Sequence, residues 1–345
     1  MQPPSPNHSD PSHIMHVGMG YMASKTLLAA VKMGLFTELG SSSLTAREIQ
    51  TRLNLHGRGL LDFLDALHSL ELLNRDGVGD NARYSNNEST GLYLNKNNLQ
   101  YIGGILEMSN DRLYKFWGNL EDGLRTGKPQ NEVKDTDKNQ FEEFYASPER
   151  IRSFLESMAG IQMGNFMMFA RQFDFSKYQT LCDIGGASGQ LSIIVSMHQP
   201  HIQCTSFDLP IIEPIAKSII GKFGFDGRVK TVSGDFFKDD FPKADVITMG
   251  NILHDWGLDD KNKLMKKAFD ALPPDGALVV IESIIDDERK NNTMGLLISL
   301  TMLIETHEGY DITFGEFTSC AKAAGFKDTK LMPLTGPTSA AIAFK

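Results

Sequence analysis

The most constraining feature of the sequence is the segment CDIGGASGQLS at 182–192. A strand-like run leads into a glycine-rich turn and then into an apolar helix. Glycine lets the backbone approach a ligand closely, and the first turn of a helix presents free N–H groups. Strand-like and helical runs alternate after this point, which predicts a parallel sheet with helices on both faces.

Two details narrow the class of α/β fold. The glycines follow a GxxxG spacing, Gly185 and Gly189, rather than the GxGxxG that packs a helix onto a pyrophosphate. The chain ends in two strand-like runs, DTKLMPL and TSAAIAFK, separated by a turn at Gly336-Pro337. We expect an antiparallel hairpin at the sheet edge, an ending that suits nucleoside-cofactor methyltransferases better than a plain dinucleotide fold.

The N-terminal third has a different pattern of predicted helices and strands. After a flexible tail over 1–13, three helical segments precede the hairpin-like run RDGVGDNARYS, with a turn at Asp76-Gly77 and a strand near Tyr84. This is the element order of a winged helix. We therefore predict a mostly helical, winged-helix-like domain over 1–110 and a catalytic domain over 111–345.

Charge argues against a DNA-binding role for that first domain. The helix LLDFLDALHSLELL carries Asp62, Asp65 and Glu71, whereas a recognition helix needs cationic or amide side chains. The whole chain has 34 Lys plus Arg against 43 Asp plus Glu, a formal net charge of −9. We expect a protein–protein or dimerisation module and no nucleic-acid partner.

Cysteine content, metal-ligand spacing and apolar runs argue against several further classes of protein. The three cysteines have no CxxC spacing, and metal-ligand spacings such as HxxxH do not occur, so we expect neither disulfides nor a metal site. The polar N-terminus has no signal-peptide core, and no apolar run approaches the ~20 residues of a membrane helix. These features predict a cytoplasmic protein without a membrane partner.

Three successive strand ends carry residues that suit a nucleoside. Gly185 ends the first strand, Asp208 in SFDLP the second, and Asp235-Phe236 in SGDFF the third. A carboxylate can accept both ribose hydroxyls, and a carboxylate beside an aromatic ring suits adenine. Asp208 alone is also compatible with a simple turn before Pro210, but the three ends together predict a cofactor crevice.

The next strand ends in ILHDW and places His254 above that crevice. Histidine titrates near neutral pH and suits general-base catalysis, although a buried core histidine has the same pattern. Glu282, at the end of VIES, and Asp311, in EGYDIT, are candidates for orienting the ring. Sequence predicts that Glu282 fixes the imidazole tautomer.

A Met- and Phe-rich helix over 154–169 includes Met158 and Met163. At helical spacing such side chains either fill a core or line an apolar ligand site. We assign Met158, Met163 and Asp255 to the acceptor site as a hypothesis.

With DIGGASG, FDLP, GDFF, ILHDW, IES and AAGF in this order, the chain resembles the class I S-adenosylmethionine-dependent O-methyltransferases of the caffeate and acetylserotonin type. The resemblance runs from about Met22 to the C-terminus. It implies a Rossmann-like catalytic domain, a homodimer formed through the N-terminal domain, and an acceptor pocket to which the partner subunit contributes. It also implies that His254 deprotonates the acceptor hydroxyl, with Glu282 and Asp311 as acidic partners.

The same resemblance implies the ligand contacts. S-adenosylmethionine, converted to S-adenosylhomocysteine, would be held by Gly185, Asp208, Asp235, Phe236, Tyr145, Gln162 and Asn251. Met302 falls where the family uses an apolar residue against the acceptor. The chain departs from the caffeate type at GGASG, at Gly250-Asn251 in place of Lys-Trp, and at Asp311 in place of Glu.

Two alternatives stay open. The same fold can methylate sulfur, nitrogen or carbon on a small metabolite, and a thioether has no proton for His254 to remove. The second alternative belongs to a different class of protein, a cofactor-sensing regulator built on the winged helix. The acidic second helix argues against this alternative.

Overall fold

The computed structural model describes residues 10–98, 100–138 and 140–345. Two compact units meet between Lys115 and Phe116, a few residues after the predicted boundary. Residues 1–9 of the predicted tail lie outside the described residues, and a helix already begins at Ser12. Among the described residues, no helix combines the length and apolar character that a membrane span requires.

The first unit contains seven α-helices and three short strands among its described residues. These are α1 Ser12–Gly18, α2 Gly20–Lys32, α3 Leu35–Leu39, β1 Leu44–Thr45, α4 Ala46–Arg52, α5 Leu60–Ser69, β2 Leu73–Asp76, β3 Arg83–Asn86, α6 Glu88–Tyr93 and α7 Gly103–Met108. A π-helical turn, Ser109–Leu113, and α8, Tyr114–Trp117, lead across the boundary.

Local chemistry explains where several of these helices begin and end. The helices α2 and α3 are separated at Gly34, whose φ of 76° is a left-handed conformation that favours glycine. Thr45 caps α4 through a reciprocal pair of hydrogen bonds with Glu48. Leu60, Leu64 and Leu67 are buried on one face of α5, as the helical spacing predicts.

The predicted hairpin is present as β2 and β3, paired antiparallel, and β1 adds a third strand on the other side of β3. Asp65 of α5 accepts hydrogen bonds from the hydroxyl of Tyr84 at 2.6 Å and from Arg75 at 2.8 Å. One of the acids that argued against DNA binding therefore ties the hairpin to the helix.

The second unit contains eight further helices and seven strands among its described residues. These are α9 Leu120–Thr126, α10 Gln140–Phe144, α11 Pro148–Gln172, β4 Thr180–Ile184, α12 Gln190–His198, β5 Gln203–Asp208, α13 Glu213–Lys222, β6 Val229–Ser233, β7 Val246–Gly250, α14 Leu258–Ala271, β8 Ala277–Glu282, α15 Thr293–Glu305, α16 Phe314–Ala324, β9 Asp328–Pro333 and β10 Ser339–Phe344.

The seven strands form one sheet in the order β6-β5-β4-β7-β8-β10-β9. The first five are parallel, and β10 pairs antiparallel with both β8 and β9. The predicted Rossmann-like sheet with a C-terminal hairpin is confirmed. Since parallel strands end at the same edge, the residues that follow β4, β5, β7 and β8 meet in one crevice.

Both faces of the sheet are covered by apolar side chains. Along β8, Leu278 and Val280 face one core cluster, whereas Val279 and Ile281 face the other. This strict alternation in a fully apolar strand is what a sheet buried on two sides requires.

The polar segment over 127–138 is partly buried. The N–H of Gln130 donates to the carbonyl of Ile304 at 2.8 Å, and the Asn131 amide donates to the carbonyl of Glu305 at 2.9 Å. Because the C-terminal carbonyls of a helix lack partners within it, this polar segment satisfies the end of α15.

A buried hydrogen bond between β4 and β7 allows a stability test. The Thr248 hydroxyl donates to Asp183 at 2.7 Å, and burial raises the pKa of Asp183 to about 7. We expect Thr248→Val to lower the free energy of unfolding by about 1–3 kcal/mol, because a buried acid loses its donor. Urea unfolding measures the change, and Thr231→Val on partly exposed β6 is the control. Equal losses in both variants would contradict this.

Candidate active site

The glycine-rich turn after β4 is held by the strand beside it. The N–H groups of Gly185 and Gly186 donate to the carbonyl of Phe207 at 2.9 and 3.2 Å. Asp208 accepts from the N–H of Ala187 at 2.8 Å and of Leu209 at 2.7 Å. Burial raises the pKa of Asp208 to about 6. A carboxylate has about four acceptor positions, so Asp208 can shape the turn and still receive ligand hydroxyls.

Gly185 connects this turn to the ILHDW segment. Its φ is +68°, and a Cβ added there would collide with Cδ1 of Ile252. Asn251 is also left-handed, with φ 53°, and its N–H donates to Ile281 at 3.1 Å. A non-glycine residue in this conformation is uncommon and needs support from its surroundings. The base-bearing segment therefore packs directly on the predicted cofactor turn.

The Asp235-Phe236 turn is organised largely by its own residues. Asp235 accepts from the N–H of Phe237 at 2.9 Å and pairs with Lys238 at 2.8 Å. Lys267 of α14 donates to the carbonyls of Phe236 and Asp239, at 2.6 Å in each case. The predicted adenine-binding carboxylate thus has a local structural partner, and sequence reasoning missed Lys267.

Tyr145 lies among aromatic rings near both halves of the crevice. Its ring centroid is 5.8 Å from Phe141 and 6.2 Å from Phe154. Burial raises the pKa of the Tyr145 hydroxyl, and the charges of Asp208 and Asp255 raise it further. Tyr145 is therefore close to the predicted ribose-binding acid and also to the acid beside His254.

Three of the predicted site residues, Met158, Gln162 and Met163, lie on α11. Gln162 is buried and accepts from Asn165 at 3.0 Å. The sulfur of Met163 accepts from Gln190 at 3.6 Å, and its side chain packs against a core cluster. Met158 is half-buried. Met163 therefore lies among core side chains, which is one of the two environments expected for the Met- and Phe-rich helix.

Met302 lies on α15 and is 9% exposed. The same helix packs against the short 3-10 turn Leu253–Asp255. Met302 is thus on an element that borders the histidine turn, and its contact with the acceptor stays a prediction.

His254 occupies that 3-10 turn directly after β7 and is buried. Its Nδ1 is 3.5 Å from Oδ1 of Asp311, and its Nε2 is 3.8 Å from Oδ2 of Asp255. Gln140 donates to the other oxygen of Asp255 at 3.2 Å. The two ring nitrogens therefore face different carboxylates.

Glu282 has a different task from the predicted one. Its Oε1 accepts from the backbone N–H of Ile252 at 2.9 Å and of His254 at 3.2 Å. Asp311, rather than Glu282, faces the ring nitrogen. The reason is positional: Glu282 ends β8, and β8 lies beside β7, so its side chain meets the backbone that leaves β7.

Electrostatics couple the members of this cluster. Burial by itself lowers the pKa of His254, but Asp255, Asp311 and Glu282 outweigh it and raise the pKa to about 10. Burial raises the pKa of Asp255 to about 7, and also raises that of Glu282. At neutral pH the imidazole holds a proton in the field of three acids, and it is a stronger base than ordinary histidine.

Donor atoms of His254, Glu282 and Asp311 lie within 4.8 Å of one another, a spacing that a metal ion could use. Burial lowers the pKa of the nearby Lys261 ammonium, and the charges of Glu282 and Asp311 counteract that shift by favouring its positive form. The positive charge of Lys261 opposes a cation at this place, and one oxygen of Glu282 is already engaged by the backbone.

Sequence reasoning missed Lys261 itself. It is fully buried on α14 together with Leu264, Met265 and Ala268, at positions i, i+3, i+4 and i+7. A lysine on the apolar face of a helix is unusual, and this pattern was the available signal.

The sheet order, the glycine-rich turn and the buried histidine above it define a Rossmann-like methyltransferase. Family comparison agrees. Residues 117–327, more than half of the chain, match an O-methyltransferase domain, and residues 15–96 match an O-methyltransferase dimerisation domain. The chain belongs to the O-methyltransferase family.

Individual relatives cover most of the chain. The tetracenomycin polyketide synthesis 8-O-methyl transferase of Streptomyces glaucescens is 35% identical over 97% of both chains. An N,N-dimethyltransferase of Streptomyces rimosus is 33% identical over 79% of this chain and 78% of its own. The structure of human N-acetylserotonin methyltransferase in complex with SAM has a TM-score of 0.89 and 27% identity, covering 99% of both chains.

The close approach at Gly185 generates a binding test. We expect Gly185→Ala to weaken binding of S-adenosylmethionine by about tenfold or more, because the added Cβ meets Ile252 and the left-handed φ becomes strained. Isothermal titration measures the affinity. Gly224→Ala is the matched control, since Gly224 has φ +74° with open space around it. An unchanged affinity in Gly185→Ala would refute the role of the turn.

Proposed function

We propose that this protein uses S-adenosylmethionine to methylate a hydroxyl group of a small aromatic acceptor, with His254 as general base. The observation that carries the proposal is the buried imidazole between Asp311 and Asp255, on the segment that packs against the glycine-rich turn. Membership of the O-methyltransferase family supports the reaction class.

The residues around the turn fit the cofactor. A Cβ at Gly185 would collide with the side chain of Ile252, so glycine lets the turn pack against the ILHDW segment, and Asp208 retains acceptor positions beyond its two backbone bonds. S-adenosylmethionine supplies a transferable methyl group when it is bound. Its holding residues in this proposal are Gly185, Asp208, Asp235, Phe236, Asn251, Tyr145 and Gln162.

The acid–base chemistry follows from the histidine cluster. A phenol has a pKa of about 10, so few molecules are ionised at neutral pH. A base whose own pKa is raised toward that value removes the proton more readily. In its neutral form, His254 accepts the hydroxyl proton at Nε2, while Nδ1–H faces Asp311. Such hydrogen bonds are often long without substrate and tighten when it binds.

Aromatic side chains near Asp255 support a flat acceptor. The rings of Phe141 and Trp256 are stacked with centroids 6.2 Å apart, and Phe236 meets Trp256 edge-on at 5.9 Å. Met302 borders the same turn from α15. The tetracenomycin relative is an 8-O-methyl transferase, and a further relative, the 3-hydroxy-5-methyl-1-naphthoate 3-O-methyltransferase of Streptomyces sahachiroi, is 30% identical over 96% of this chain and 94% of its own. Both names are consistent with this acceptor class.

The first unit supports a homodimer. It matches a dimerisation domain, and its first two helices expose large apolar side chains. These are Ile14, Met15, Val17, Met19, Tyr21 and Met22. A second copy of the chain is the occupant that we propose for them.

One relative favours a second candidate, because its name describes N,N-dimethylation. An amine acceptor that binds as the free base needs no proton removed before transfer. Loss of His254 would then affect the rate much less than it does for a phenol.

One experiment tests the function and separates these candidates. We expect the protein to release S-adenosylhomocysteine with small phenols, and His254→Gln to lower kcat by about 10²–10⁴-fold while still binding S-adenosylmethionine. The panel includes amines, indoles, thioethers and carboxylic acids. His198→Gln, on the far end of α12, is the control. Full turnover of a phenol by His254→Gln would remove the base from this mechanism.

Asp255 provides a test of pH dependence. The neutral imidazole is the active form, so kcat/KM rises with pH until His254 has lost its proton. The negative charge of Asp255 is the largest single contribution that raises the pKa of His254. We expect Asp255→Asn to move the rising limb to lower pH by about one unit, because removing a nearby negative charge destabilises the imidazolium.

The control for this measurement is Asp259→Asn, which changes an exposed acid at the start of α14. Its profile should match that of the unaltered protein. If kcat/KM rises at the same pH in Asp255→Asn as in the unaltered protein, a group other than His254 limits the rate.

A further inference from the structure

Lys261 is a buried cation that the proposed reaction does not use. Its side chain is fully inaccessible, and it projects from the apolar face of α14. Lysine is almost never buried completely unless its ammonium group is well paired. Its partners therefore indicate why the position holds a lysine.

Both hydrogen-bond partners are backbone carbonyls beside residues of the histidine cluster. The ammonium donates to the carbonyl of Trp256 and to that of Tyr310, the latter at 3.0 Å. It also lies 3.7 Å from the ring centroid of Tyr310. Trp256 follows His254 by two residues, and Tyr310 immediately precedes Asp311. One ammonium group thus joins the segments that carry the base and its facing acid.

Two glycines show independently that these segments are in close contact. A Cβ on Gly309 would lie 2.5 Å from the carbonyl oxygen of His254. A Cβ on Gly257 would collide with Glu308, one residue before Gly309. Real Cβ atoms do not approach so closely, so Gly309 packs against the backbone of His254 and Asp255, and Gly257 packs against the side chain of Glu308. Lys261 lies beneath this contact and bonds to both sides of it.

We propose that Lys261 is a positioning residue, which sets the distance between His254 and Asp311 by holding the backbone of both segments. This inference rests on the proposed general-base function. Misplacement of a catalytic group by about 1 Å can reduce a rate by about 10²-fold. The ammonium also offsets the buried charges of Asp255, Glu282 and Asp311, which all act on it.

The chain offers a matched control at its C-terminus. Lys345 donates to the carbonyls of Phe269 and Leu272, at 2.6 Å each, and lies 4.3 Å from the ring centroid of Phe269. It therefore has the same set of partners as Lys261, at a place without histidine or a carboxylate cluster. Lys261→Met and Lys345→Met each remove an ammonium that bonds two carbonyls.

The kinetic result separates a positioning role from a structural one. We expect Lys261→Met to lower kcat by about 10–100-fold, with affinity for S-adenosylmethionine within about twofold of the unaltered protein. Lys261→Arg, which can also donate to two carbonyls, should recover most of the loss. Lys345→Met should keep full kcat even if its melting temperature falls. If His254→Gln lowers kcat, then an unchanged kcat in Lys261→Met, or equal losses in both Met variants, would overturn the proposal.

A spectroscopic measurement keeps this test distinct from that of the function. In ¹⁵N-labelled protein, the imidazole signals of His254 are assigned by their disappearance in His254→Gln. We expect Lys261→Met to shift those signals, and Lys345→Met to leave them in place. If Lys261→Met shifts the imidazole signals but His254→Gln keeps full turnover, His254 is not the general base, and Lys261 still positions its ring. Unshifted signals would refute the positioning.

Folding is checked first by circular dichroism. If Lys261→Met does not fold, Lys261→Gln replaces it, because the amide can still donate to one carbonyl. The same kinetic and spectroscopic outcomes then decide the proposal.

Discussion

The structure of the site depends on how a buried group of acids is kept compatible with folding. Asp255, Glu282 and Asp311 surround one imidazole where little water reaches them. Buried charges are unfavourable unless they are paired or accept hydrogen bonds. Glu282 accepts two backbone N–H groups, the negative charges of the acids favour the protonated imidazole, and the same acids act on the ammonium of Lys261. The same arrangement that makes burial tolerable strengthens His254 as a base.

The sheet explains why these groups meet at all. His254 follows β7, Glu282 ends β8, and the glycine-rich turn follows β4. The hydrogen-bonding order β4-β7-β8 places the three strand ends side by side, although they are far apart in sequence. The switch in strand order next to β4 leaves a crevice at this edge, as in other open α/β sheets. The apolar alternation along β8 keeps these ends in register.

The N-terminal unit illustrates how charge can correct a fold-level analogy. Its helices and hairpin have the order found in winged-helix DNA readers, but its second long helix is acidic, and Asp65 is engaged by Arg75 and Tyr84. Function belongs to particular side chains rather than to an element order. The match to a dimerisation domain agrees with that interpretation.

Sequence by itself determined the parts that depend on neighbours along the chain. The strand–turn–helix at 182–192, the alternation that follows it, the closing hairpin and the histidine at a strand end were all readable, because period, glycine and turn chemistry act locally. Tertiary structure alone decided which partner each polar side chain has. Asp311 rather than Glu282 faces the ring, Met163 packs in a core, and Lys261 bridges two segments. Such choices depend on distances of a few ångströms between residues remote in sequence, and no pattern in the chain encodes those distances directly.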